Sequence, residues 1–153
     1  MRPATSKDNL VESMLSEHSD RIHAWLERET ADVPPGLGRV MSIFDLLIRW
    51  FAQPGYRGCA VVNTVTDTRA DPGIAGVSAI ARRHLVRYRE LLAQRLAGLD
   101  VEDPERVARQ LLLLIEGASV VTSIDHDPTA GHDARAAALL LLAGATPAVA
   151  DQA

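Results

Sequence analysis

Few side chains in this sequence have types and spacings suited to chemistry. Cys59 is the single cysteine and follows Arg57 and Gly58 at an expected helix start. A thiol at a helix N-terminus beside a guanidinium has the setting that lowers a thiol pKa and makes a nucleophile or redox sensor. The simpler reading is a buried cysteine packing as a small hydrophobe. Asp125-His126-Asp127 with His132 and Asp133 form a second set, of ligand types that suit zinc or a harder ion. A plainer account covers these too. Asp127 caps a helix before Pro128, and Asp133 sits in the first turn, where the helix dipole favours a carboxylate. No metal and no cofactor are therefore expected. Arg82-Arg83 with Arg87 and Arg89 make a basic run whose simplest role is the solvated face of an amphipathic helix. No nucleophile elbow, glycine-rich phosphate loop or zinc-protease motif occurs, so the residues do not suggest an enzyme.

The elements that would carry these residues read as helices. Three Asp-Pro pairs, Asp71-Pro72, Asp103-Pro104 and Asp127-Pro128, precede helical patterns. Asp is a good N-cap, and Pro at the first helical position loses no needed hydrogen bond, so at least two of the three are expected to start helices. A first helix is expected from about Ser6 to Glu29, with Thr5 and Asp8 at capping-box spacing. Val11, Leu15, His18, Ile22 and Trp25 fall on one of its faces. Asp32-Val33-Pro34-Pro35-Gly36 breaks it. Leu37, Val40, Met41, Phe44, Leu47, Ile48 and Phe51 recur at helical spacing and predict a second helix to about Gln53, stopped by Pro54-Gly55. Cys59 to Thr66 is β-branched, but a lone strand among helices has nothing to pair with, and a short helix is preferred. A loop is expected from Thr68 to Gly73, then a long helix ending near Gly98. On it Ile80, His84, Tyr88, Leu91 and Arg95 line one face, and Ala81, Leu85, Leu92 and Leu96 its neighbour. Helices from Asp103-Pro104 to about Ile124 and from Thr129 to Ala143 complete the series. Both are apolar on more sides than one contact covers, which suggests a homodimer.

The chain has 153 residues, enough for one domain, and its 47% hydrophobic content supports a substantial core. A net charge of −4 makes no electrostatic case for nucleic-acid binding by the whole chain. One cysteine forms no internal disulfide, no signal peptide is visible, and the apolar runs read as too short and interrupted to span a bilayer. A cytoplasmic protein with no membrane partner is the expectation.

Ordered motifs add a resemblance. Ser6-Lys7-Asp8-Asn9-Leu10-Val11 resembles the junction before the fourth helix of TetR-family transcriptional regulators. Tyr56-Arg57-Gly58-Cys59 is similar to the start of that family's sixth helix. Asp103-Pro104-Glu105 followed by Leu111-Leu112-Leu113-Leu114-Ile115-Glu116-Gly117-Ala118 resembles its eighth, and the closing Ala/Leu helix its ninth. The resemblance implies an all-α bundle of about six helices: residues 6–145 as the effector-binding and dimerisation domain, 1–5 as a remnant and 146–153 as a loose tail. It implies a pocket for a small, mostly apolar effector, with Trp25, Phe44, Ile48, Phe51, His84, Tyr88 and Glu116 as inward-facing candidates. The dimer helices would meet through Leu112, Leu113 and Val120 on one and Ala136, Leu139, Leu140 and Ala143 on the other. The family's DNA-binding unit belongs ahead of Ser6, where this sequence has five residues. DNA is therefore an expected partner only if a helix-turn-helix is supplied by upstream sequence. The alternative expectation is a stand-alone helical interaction module that modulates a full-length regulator.

Overall fold

The structure, a computed structural model, describes residues 6–68 and 75–147. These form six helices and no strand: α1 (Ser6–Glu29), α2 (Leu37–Phe51), α3 (Ala60–Thr68), α4 (Ala75–Leu96), α5 (Pro104–Asp125) and α6 (Thr129–Ala145). The all-α, six-helix bundle expected from the periodicity is what the chain adopts. Thr5, the Asp71-Pro72 pair, most of the predicted Thr68–Gly73 loop and the end of the tail lie outside the described residues.

The helix boundaries follow from local chemistry. Asp103 caps α5: its side chain accepts from the Arg106 backbone N–H at 3.1 Å, and Pro104 opens the helix. Asp127-Pro128 works with a one-residue shift. Pro128 is itself the N-cap, and Asp127 Oδ1 accepts from the Thr129 N–H at 2.9 Å. That bond holds the exposed Asp127 carboxyl below its usual range. Gly58 takes φ 87, a left-handed backbone that favours glycine, at the corner between α2 and α3. Asn63 Nδ2 donates to Arg57 O at 2.7 Å and pins the same corner.

α4 is central, packing against α1, α2, α3 and α5, while α6 closes the bundle against α5 and α2. The main core joins Leu26, Val40, Ile43, Phe44, Leu47, Phe51, Tyr88, Leu92, Leu96, Leu111, Ile115, Ala138 and Leu142. A smaller cluster under α3 holds Leu15, Cys59, Val61, Val77, Ile80 and Ala81. Two readings of helix faces need correction. On α1 the fully buried face is Leu15, Ser19, Ile22, His23 and Leu26; Val11 and Trp25 pack half-buried against its edges, and His18 is half-buried. On α2, Leu37 is exposed while Ile43 and Leu46 are buried, because three other helices cover α2 and one stripe does not exhaust its contacts.

α5 also departs from the reading of apolar runs. By length and composition it is apolar enough to cross a membrane, with a mean hydropathy of 1.5 over its best window. Val107, Ala108, Leu111, Ile115 and Ala118 are nevertheless buried within the bundle, as in the core helix of a globular domain.

Gly131 sets the approach of α6 to α2. A Cβ there would lie 3.0 Å from Ile48 Cγ1 and 3.2 Å from Phe51 Cδ2. Alanine gains about 1 kcal/mol in helix propensity, but overpacking costs about 1–3 kcal/mol. Gly131→Ala is therefore expected to lower stability by about 1 kcal/mol, read as an earlier urea midpoint. An unchanged or later midpoint would show that α2 and α6 part freely.

Candidate effector site

A seam of polar side chains crosses this otherwise apolar core. α1 contributes Ser19 and His23, one turn apart, and α4 contributes His84 and Tyr88, also one turn apart. All four are buried, His84 to 0% exposure and Tyr88 to 3%. Ser19 Oγ lies 2.8 Å and His23 Nε2 3.2 Å from His84 Nδ1, and Cys59 Sγ lies 3.5 Å from His84 Nε2. The roles depend on the His84 tautomer. With Nε2–H toward the sulfur, the single Nδ1 lone pair is shared between the Ser19 hydroxyl and the His23 Nε2–H, whereas with Nδ1–H the thiol donates to Nε2. The rings of His23, His84 and Tyr88 meet tilted or edge-on, with centroids 4.8–5.2 Å apart.

Burial dominates the electrostatics. It pushes His84 down to about 3, helped by His23, His18 and Arg87. It pushes His23 down to about 4, with Arg87 acting in the same direction. The Cys59 thiol is pushed up by burial and by Glu116, although backbone N–H groups of Val61 and Val62 pull it the other way. The helix N-terminus thus does what the sequence suggested, but desolvation wins and Cys59 remains a thiol. It packs as a small hydrophobe that also shares a hydrogen bond with His84 Nε2.

The seam continues toward α5. Tyr56, on the α2–α3 corner, shares a 2.7 Å hydrogen bond with Ser119 Oγ, and burial holds its hydroxyl up at about 12. Glu116, one turn before Ser119, is pushed up to about 7 by burial alone. By area Glu116 is only half-buried. Its charge nevertheless raises Tyr56, Cys59 and Tyr88, so it lies within electrostatic reach of the seam. Thr122, a further turn along, is buried with no partner for its hydroxyl among the described residues. Thr30, Thr64, Thr66 and Thr146 each donate to the carbonyl four residues earlier, so Thr122 departs from the local habit.

The expected pocket residues are not gathered into one cavity. His84, Tyr88 and Glu116 belong to the seam. Phe44 and Phe51 are core residues. Half-buried Ile48 faces Gly131 of α6. Trp25 lines a separate cleft of about 300 Å³ between α1 and α2, with His18, Arg21, Ile22, Arg49, Trp50 and Gln53. A second cleft, of about 280 Å³ between α1 and α4, reaches the seam through Ser19 and is also lined by Ser16, Asp20, Ile80, Arg83 and Arg87. The residues missed by sequence reasoning are Ser19, His23, Tyr56 and Ser119. A signal for the first two was present: they lie four apart and in register with Leu15, Ile22 and Leu26. Among the described residues no three His, Cys, Asp or Glu side chains group to hold a metal ion.

The predicted dimer residues divide by exposure. Leu113 (72%) and Leu140 (77%) are exposed, as are Val120, Ala136 and Ala143, while Leu112 and Leu139 are half-buried against the core. Val121 and Ile124, the latter 68% exposed, extend the α5 stripe. These positions define an all-α bundle with a polar core seam and an outward apolar stripe. No family model, curated protein or solved structure matches the chain.

Proposed function

We propose that this chain is the effector-binding and dimerisation domain of a TetR-like transcriptional regulator. The observation that carries the reading is the outward apolar stripe on the two closing helices. On α5, Leu113, Gly117, Val120, Val121 and Ile124 follow helical spacing and are all exposed; on α6, Ala136, Leu140 and Ala143 do the same. Isolated exposed apolar residues are ordinary, whereas stripes on two helices packed together suit burial against a second copy. Gly117 has nothing within 4 Å of a built Cβ, which leaves room for a partner helix to approach closely.

The seam supports the sensing half of the proposal. Effector sites combine an apolar wall with a few placed polar groups. His84, Tyr88 and Glu116 supply such groups at the meeting of α1, α3, α4 and α5. A ligand favouring one packing of these helices would shift the population of bundle conformations. A DNA-binding unit supplied by upstream sequence would convert that shift into operator affinity.

Light scattering at micromolar concentration tests the first half. A dimer is expected, and Leu140→Glu should weaken it at least about tenfold by burying an unpaired charge. A wild-type monomer would overturn the proposal. For the second half, a bound effector at a hundred times its Kd should add about 2.7 kcal/mol to stability, visible in a thermal-shift screen.

A further inference from the structure

The basic run read from the sequence as a solvated face does not act as one unit. Arg87 turns to α1 and pairs with Asp20 at 2.5 Å. Arg82 and Arg89 instead line a groove between α4 and α5. Arg82, Leu85, Val86 and Arg89 fall at i, i+3, i+4 and i+7 on α4. Arg106, Arg109, Gln110 and Leu113 repeat that spacing on α5, with Leu112 beside them. The groove therefore has an apolar floor rimmed by four guanidiniums, no acidic residue in its lining, and a volume of about 470 Å³. This volume lies within the range of small-molecule sites.

We propose that this groove binds a small amphipathic anion, a carboxylate or sulfate head group on a medium-length alkyl chain. Consecutive, packed helices joined by a short connection run antiparallel, so Arg89 near the end of α4 lies beside Arg106 and Arg109 at the start of α5. These three form the basic end. Leu85 and Val86 lie three to four residues from Arg89, and Leu112 and Leu113 three to four from Arg109, about one helical turn or roughly 5–6 Å at 1.5 Å per residue. Arg106 is partly neutralised by Asp103 at 3.6 Å, while no ion pair joins Arg82, Arg89 or Arg109 to a described residue. Two unpaired guanidiniums, Arg89 and Arg109, with Arg106 beside them, face an apolar strip that Arg82 closes at its far end; in a chain of net charge −4 this basic end matches an anionic head group with an apolar tail. The groove shares Leu113 with the outward α5 stripe, so a second copy that covers that end would compete with the anion.

The test is calorimetric titration of the full chain at pH 7.5 with four probes sharing an eight-carbon tail: octanoate, octyl sulfate, 1-octanol and octyltrimethylammonium. The two anions should bind saturably, one per chain, with octanol at least tenfold weaker and the cation weaker still. Combined Arg89→Gln, Arg106→Gln and Arg109→Gln should reduce anion affinity at least tenfold with an unchanged far-UV spectrum. Leu85→Ser should weaken both octanoate and octanol. A paired Arg28→Gln and Arg49→Gln control, away from the groove, should leave binding intact. Equal affinity for octanol and octanoate would overturn the proposal, as would retained affinity in the triple arginine variant. So would a triple variant that loses self-association while the wild-type dimer ignores the anions, because a second copy would then cover the groove.

Discussion

Glu116→Gln is expected to stabilise this protein by about 2–3 kcal/mol at pH 8 and by less than about 1 kcal/mol at pH 5. Burial pushes the Glu116 carboxyl from an ordinary 4.5 up to about 7. A carboxyl whose folded pKa is raised favours folding fully below the unfolded value, and that contribution is lost as pH rises through the folded value. The window therefore runs from about pH 4.5 to 7. Above it the folded chain holds a carboxylate that the unfolded chain would leave in water. At 1.4 kcal/mol per pKa unit the full displacement corresponds to about 3 kcal/mol, and the half-buried side chain screens part of it. Glutamine keeps the shape and removes the charge, so its advantage tracks ionisation of the native glutamate. Urea denaturation of both proteins at pH 5, 6, 7 and 8 gives the difference directly. A difference that stays flat with pH would mean that Glu116 is ordinarily solvated.

The same glutamate shows what the sequence made legible. The helical order was readable because the signals are local. Apolar spacing in α2, the Asp103-Pro104 start of α5 and the Pro54-Gly55 stop of α2 each depend on a few neighbouring residues. The short helix α3 came from elimination rather than propensity, since nothing was available to pair with a strand. The candidate site was only partly legible because its polar groups come from three helices and one corner. His84 and Tyr88 were visible as a pair one turn apart, but nothing local shows that His23 and Ser19 meet them across the bundle. The face of α1 was misjudged for a related reason. His18 and Trp25 fit an apolar stripe, yet burial chose the stripe with Ser19 and His23, whose hydrogen bonds to His84 offset their desolvation. Phe44 and Phe51 were placed on the correct face of α2, but a face cannot distinguish core packing from pocket lining. Exposure of Leu113 and Leu140 likewise required the positions of the neighbouring helices.

In the Glu116→Gln background, lowering the pH from 7.5 to 5 is expected to cost about 4 kcal/mol through His23 and His84. Both are buried neutral, their pKa values held from an ordinary 6.5 down to about 4 and about 3. For a group whose folded pKa is depressed, stability is present above the unfolded value and lost as pH falls toward the folded one. The loss therefore begins near pH 6.5 and continues to about pH 3–4. At pH 5 each unfolded histidine is protonated one and a half pH units below its ordinary value, worth about 2 kcal/mol, while the native rings remain neutral. This estimate depends only on both folded values lying well below 5. Wild-type protein should lose less over the same interval, because protonation of Glu116 returns about 2 kcal/mol in the opposite direction. His23→Gln, which retains a donor toward His84 Nδ1 without an imidazole, should remove about half of the slope between pH 6.5 and 5 even if it lowers stability at every pH. The slope distinguishes titration from simple loss of packing, which would shift the curve without flattening it. An unchanged slope in His23→Gln would mean that acid destabilisation arises elsewhere. Against typical domain stabilities of 5–15 kcal/mol, a loss of this size is most of the total at the low end and about a quarter at the high end, and it accrues while the native rings are still neutral.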